Sequence, residues 1–119
     1  MTLVTRHSSL VTVFVALGSN LDDPRAQIRR ALRELAALPR TRLTRESSLY
    51  LNPAVGGGSQ PDFVNAVAML ETHLAPRELL EELLAIERAH GRTRDFPNAP
   101  RTLDLDIALY GGLRLHEPG

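Results

Sequence analysis

The 119-residue sequence contains no cysteine, no tryptophan and no lysine, and aromatic residues make up only 4% of it. Without cysteine there is no disulfide, no zinc site built on thiolates and no thiol nucleophile. A reducing compartment fits that composition. So few aromatic rings leave little for base stacking, which speaks against a nucleic-acid platform. Neither sign of charge dominates: 14 basic residues, every one an arginine, stand against 14 acidic ones, for a net charge of zero. The basic excess that favours nonspecific binding to nucleic acid or anionic membrane is missing. Arginine used alone does suit a bidentate grip on phosphate. No apolar run approaches the roughly 20 residues of a membrane-spanning helix. The run Leu10–Leu17 follows Arg6 and His7 in the manner of a signal peptide. It carries Thr12, is rich in valine and flows into Gly18-Ser19-Asn20, so it reads as a buried strand instead.

What remains fits a single domain spanning 1–119, with 43% hydrophobic and 24% charged residues, ordinary for a globular chain. After the first strand, Asp23-Pro24 reads as a helix start, with Asp23 as N-cap and Pro24 at the first helical position. Ile28, Leu32 and Leu35 then recur at helical spacing, Arg29, Arg30 and Arg33 take the wet side, and Pro39 closes the segment. Arg42–Leu51 alternates moderately and predicts a second strand. Asn52–Pro61, with three consecutive glycines and a proline near each end, predicts a flexible loop. Asp62–Thr72 predicts a third strand. Val64, Ala66, Ala68 and Leu70 share one of its faces; Phe63, Asn65, Val67 and Met69 share the other. Pro76 opens a second helix whose stripe is Leu79, Leu83 and Ile86, widened by Leu80 and Leu84, and Gly91 stops it. Arg92–Pro100 is a polar loop, Leu103–Tyr110 a last strand, and Gly111-Gly112 a turn. The order β-α-β-β-α-β predicts an α+β, ferredoxin-like sandwich: a four-stranded antiparallel sheet, ordered 4-1-3-2, with both helices on one face.

The last strand holds the chemistry. In "RTLDLDIALYGG", alternation sends Leu103, Leu105, Ile107 and Leu109 to the core and Asp104 and Asp106 together to the other side. Their Cα atoms are then roughly 6.5 Å apart, and two carboxylates at that separation repel by about 2–3 kcal/mol at an effective dielectric near 20. A divalent cation between them reverses the sign, and magnesium commonly takes one or two protein carboxylates together with water and phosphate oxygens. The plainer reading is the solvated face of an amphipathic strand, though aspartate is disfavoured in strands. Arg92, Arg94 and Arg101 in or beside the preceding loop add the cations a metal-phosphate site uses. On chemistry alone, both readings stand.

Four ordered stretches then resemble one family. "ALGSNL" at Ala16–Leu21, "QPDFVNAVAMLET" at Gln60–Thr72, "ERAHGRTR" at Glu87–Arg94 and "NAPRTLDLDI" at Asn98–Ile107 are similar to 6-hydroxymethyl-7,8-dihydropterin pyrophosphokinases of folate biosynthesis. The match runs from about Val13 to Leu115 with consistent spacing. The resemblance implies transfer of pyrophosphate from ATP to the pterin hydroxymethyl group, with AMP leaving. It implies two Mg²⁺ ions on Asp104 and Asp106, and phosphate contacts from Arg92, Arg94 and Arg101, of which Arg92 and Arg101 are catalytic candidates. Nucleotide contact at Ile107 belongs to the same expectation. For the pterin it implies stacking on Phe63, edge recognition by Asn65, and backbone recognition by the loop from Asn52 through Pro53, Val55 and Gly56, itself a candidate lid. Pterin and ATP are the expected partners, with a cytoplasmic monomer, no nucleic acid, no membrane, and other folate-pathway enzymes as candidate neighbours.

Some positions depart from the family pattern. Asn52 stands where threonine is frequent, Ala54 where a second proline is frequent, and Ala108 where a larger aliphatic is frequent; Phe96 or Pro97 stands in for a tryptophan of the second loop. Gly18, Ser19 and Asn20 read as a structural turn, Glu87 as a helix residue without catalytic role, and His73, His90 and His116 as surface residues. The family's usual C-terminal extension, with a second stacking aromatic and further nucleotide contacts, is expected to be lacking, and with it part of pterin affinity and turnover. An inactive or regulatory ferredoxin-like binding module is therefore the alternative function. A D-x-D glycosyltransferase is disfavoured by length.

Overall fold

The computed structural model describes residues 9–52, 62–91 and 102–112. They form β1 (Val11–Ser19), α1 (Pro24–Ala36), β2 (Thr41–Glu46), β3 (Tyr50–Asn52), β4 (Phe63–Thr72), α2 (Pro76–Ala89) and β5 (Asp104–Tyr110). The main path of the sheet runs β2-β4-β1-β5, antiparallel throughout, with β3 also paired to β4. This is the expected ferredoxin-like α+β arrangement and strand order, with five strands rather than four. Among the described residues no helix is long and apolar enough to cross a membrane.

The extra strand comes from a break inside the segment expected to be one strand. Thr44 is a bulge residue on β2, because Leu43 pairs with Leu70 while Arg45 pairs with Met69. Its hydroxyl donates to Met69 O at 3.0 Å. Three residues beyond, Ser47 Oγ accepts the Val67 amide at 2.9 Å in place of a backbone carbonyl. A side chain standing in for the main chain interrupts the ladder, and pairing resumes only at Tyr50.

Alternation along β1 and β4 sorts the two faces. Val13, Val15 and Leu17 of β1, with Val64, Ala66, Ala68 and Leu70 of β4, are buried on one side. There they join Ile28, Ala31, Leu32 and Leu35 of α1 and Leu79, Leu83 and Ile86 of α2 in a single core cluster. Both helices begin as the sequence predicts. Asp23 accepts the Ala26 amide and Pro24 opens α1; Pro76 opens α2. The stripe on α2 is narrower than expected, because Leu80 and Leu84 remain 46% and 37% exposed.

A second bulge corrects the reading of β5. Phe14 pairs with Leu109 but Val15 pairs with Ile107, so Ala108 is the extra residue. From there the alternation flips. Leu109 lies opposite Phe14 on the open face, and Tyr110 takes the core side, where its hydroxyl donates to Leu74 O at 2.7 Å.

Two polar residues are inside, one of them, His90, expected at the surface. His90, just beyond α2, is buried; its ring nitrogens bond Gln27 Oε1 at 2.5 Å and Glu34 Oε1 at 2.6 Å, both on α1. Arg30 adds a bond from α1 to Ala89 O at 3.3 Å. Glu87, in the last turn of α2, is only 5% exposed. Its Oε2 accepts the Leu105 amide at 2.7 Å. The end of α2 is thus tied both to α1 and to β5.

Candidate active site

The face of the sheet opposite the helices carries the candidate chemistry. At its centre β1 presents Ala16 and Gly18, the two smallest side chains available, and so forms a low floor. Gly18 pairs with Asn65 of β4 on one side and with Asp104 of β5 on the other; Ala16 pairs likewise with Val67 and Asp106. Directly paired residues in an antiparallel sheet share a face. The register therefore brings Asn65 and both aspartates to one side, separated by the width of β1, about 10 Å between the outer strands.

An open pocket of ≈ 340 Å³ occupies this floor. Phe63 and Asn65 form one wall, Asp104 and Asp106 the other, with Asn52 at the Phe63 end. Asp106 is exposed and Asp104 half-buried. Asn65 Nδ2 donates to Asn52 Oδ1 at 3.2 Å, which orients the amide; Asn52 itself is paired with Phe63 at the end of β3. The expected loop residue Asn52 is thus held by the sheet, through the short strand that the sequence pattern merged with its neighbour.

Gly18, expected to be a structural turn residue, lies within β1 and lines the pocket. A Cβ there would stand 3.1 Å from Asn65 Oδ1 and 3.7 Å from Phe63 Cδ1. The absence of a side chain is what lets the two walls face each other across a gap. Ile107 is not brought into the pocket: its side chain is buried in the core opposite Val15. Pro53, Val55, Gly56, Arg92, Arg94 and Arg101 lie outside the described residues.

Among the described residues no cluster of three or more histidine, cysteine, aspartate or glutamate side chains is arranged to enclose a metal ion. Asp104 and Asp106 offer hard oxygen donors on a wall with open space in front of it. That donor set fits a cation completing its shell with water and substrate oxygens, and does not fit a closed all-protein cage.

The profile of the family described as 7,8-dihydro-6-hydroxymethylpterin-pyrophosphokinase matches residues 14–119. The chain belongs to this family. Among its pyrophosphokinase relatives, the protein of Pseudomonas aeruginosa named 2-amino-4-hydroxy-6-hydroxymethyldihydropteridine pyrophosphokinase is 54% identical over 106 residues, 89% of this chain and 65% of that protein. Its namesake in Haemophilus influenzae is 48% identical over 102 residues, 86% of this chain and 64% of the relative. A Pseudomonas putida sequence of the same name is 45% identical over 108 residues, covering 91% of this chain and 89% of its own length. The chain thus spans just under two thirds of the length of the first two pyrophosphokinases. The matched region takes in all five strands apart from the first residues of β1, and every wall of the pocket.

Proposed function

We propose that the chain carries the core of an ATP-dependent pyrophosphoryl transfer to 6-hydroxymethyl-7,8-dihydropterin, giving the pterin diphosphate and AMP in folate biosynthesis. One observation carries this reading. A ring and an amide suited to a flat heteroaromatic share a pocket with two carboxylates suited to a phosphate-bound cation, and a glycine separates them.

In this reading Phe63 stacks on the pterin, and Asn65 offers both donor and acceptor to its edge. Asn52 holds the Asn65 amide in register. Pro53, Val55 and Gly56 contribute backbone recognition from the following loop. Asp104 and Asp106 hold magnesium, two ions when ATP is bound. Magnesium bound there supplies neutralising charge to the phosphate oxygens. Arg92, Arg94 and Arg101 offset the charge that grows on those oxygens as AMP departs, with Arg92 and Arg101 as the catalytic candidates among them. Ile107 reaches the nucleotide through its main chain only, since its side chain is in the core.

The separation of the walls matches the reaction. A pterin lying against Phe63 and Asn65 extends its hydroxymethyl group over Gly18 toward Asp104. Its oxygen bonds to the β-phosphorus while the bond from that phosphorus to the α–β bridging oxygen breaks. The bridging oxygen leaves with AMP, and the hydroxyl proton passes to solvent. The protein's part is positioning and charge, with no covalent intermediate. The chain acts as a cytoplasmic monomer, with small molecules as its partners.

The test is incubation with MgATP and 6-hydroxymethyl-7,8-dihydropterin, with chromatographic detection of products. AMP and pterin diphosphate appear in equal amounts, and Asp104→Ala or Asp106→Ala each lowers kcat/KM by about a hundredfold or more. Calorimetric silence toward an ATP analogue with Mg²⁺, and toward pterin, would overturn this reading in favour of a binding module.

A further inference from the structure

The carboxylate pair sits where a strand is least secure. Among the described residues, β5 begins at Asp104 and lies at the edge of the sheet. Both aspartates fall within its first three residues. Strand ends fray, and an edge strand has main-chain groups on one side that no neighbouring strand engages. A pair of ligands there is held by β1 on one side, and a contact on the outer side of the strand adds to that hold.

Glu87 supplies it. From the last turn of α2 its carboxylate accepts the amide of Leu105, the residue between the two aspartates, at 2.7 Å. The peptide unit joining Asp104 to Leu105 is planar, so fixing its N–H fixes the plane that carries the Asp104 carbonyl. With that plane held, the Cα–Cβ direction of Asp104 varies only through its own ψ, and that of Asp106 through the torsions of Leu105 and its own φ, all of them restrained by pairing to β1. A charged acceptor makes this bond stronger than a neutral one. Glu87 is also only 5% exposed, one turn beyond Leu83 on the core side of the helix. A carboxylate in such a place is unfavourable unless bonded, and the next helix position, Arg88, is exposed.

We propose that Glu87 is a positioning residue for Asp104 and Asp106, acting through the Leu105 amide to hold the two carboxylates at cation-binding geometry. The proposal rests on the reading of that pair as the magnesium site. Glu87 lies behind the strand, on the core side, and is no cation ligand itself. It couples the end of α2, from which the Arg92–Pro100 segment departs, to the metal wall of the pocket.

The experiment uses Mn²⁺ as the probe, titrated into the full chain with a non-hydrolysable ATP analogue and followed by electron paramagnetic resonance. Glu87→Leu fills a similar volume without the acceptor, and Glu87→Gln keeps a neutral acceptor. Glu87→Leu is expected to weaken Mn²⁺ binding tenfold or more, and to speed hydrogen exchange of the Leu105 amide tenfold or more. Glu87→Gln is expected to stay within about threefold of wild type in Mn²⁺ affinity, since the bond is retained in its neutral form. Pterin affinity, set at Phe63 and Asn65 across β1, is expected to be unchanged in both variants. That split excludes general loosening of the fold. Wild-type Mn²⁺ affinity in Glu87→Leu would overturn the inference, as would Glu87→Gln falling as far as Glu87→Leu. A wild-type chain that binds no Mn²⁺ would instead remove the magnesium site itself, and the inference with it.

Discussion

Gly18 is the residue on which the pocket depends most directly. It is the position in β1 where any side chain would project between the two walls, and an added Cβ falls 3.1 Å from Asn65 Oδ1. That contact is tight, and Asn65 is already committed to Asn52. Gly18→Ala is therefore expected to raise the dissociation constant for pterin about tenfold, about 1.4 kcal/mol, while leaving nucleotide affinity within about twofold. Separate fluorescence titrations with each ligand check this, and a parallel loss of both affinities would mean that the substitution disturbs the sheet as a whole. Asp104 with Asp106 and Phe63 with Asn65 were legible in the sequence because positions two apart on a strand share a face. Gly18 was not, because its importance comes from strands to either side that are distant in the chain. The burial of Glu87 was not legible for a related reason. Its helical position is compatible with either surface or core, and only the approach of β5 supplies the amide that makes burial tolerable.

Among the elements, α2 is fixed at its C-terminal end more firmly than its stripe of leucines suggests. His90 is buried and bonded to Gln27 and Glu34 of α1, and Glu87 to β5. His90→Ala removes both ring contacts and leaves a void between the helices, so it is expected to lower stability by about 2–4 kcal/mol in urea unfolding. Leu84→Arg, on the exposed side of the same helix, is expected to change it by no more than about 0.5 kcal/mol. A result near zero for His90→Ala would mean that the α1–α2 contact is carried by apolar packing alone. Helix positions and starts were readable from spacing and capping, since those signals are local. The division of Arg42–Leu51 into β2 and β3 was not. It depends on Ser47 bonding Val67, a residue twenty positions away, and on which register of β4 is available to receive it.

For the whole molecule, two ionisable groups near the α2 start give stability a pH dependence of opposite sign at each end. The Ala75 amide bonded to Glu78 holds the Glu78 carboxyl below its ordinary value of 4.5; desolvation opposes this, and the Arg40 guanidinium adds to the lowering. A depressed carboxyl stabilises the fold above its ordinary value, and that contribution is lost as pH falls through the folded value. Burial, together with the nearby Glu78 charge, pushes the Tyr110 phenol above 10.0. A raised phenol contributes stability below its ordinary value and loses it as pH rises through the folded one. The urea midpoint of Glu78→Gln is therefore expected to fall short of wild type near neutrality and to converge with it as pH falls below the ordinary carboxyl value of 4.5. Tyr110→Phe is expected to remove part of the alkaline decline. Parallel curves at all pH values would show that neither group is coupled to folding.

The sequence by itself determined the helices, the strands apart from the break between β2 and β3, their ferredoxin-like order, and the two face-sharing pairs on which the proposed chemistry rests. All of these follow from periods of two and 3.6 residues and from local caps, which need no distant partner. The tertiary structure alone decided that the pairs meet across Gly18, that a bulge at Ala108 turns Leu109 away from the core, and that Glu87 and His90 are buried. Each of those depends on register between strands or on contact between elements far apart in the chain, where one residue of slip would send the same side chain to the opposite face.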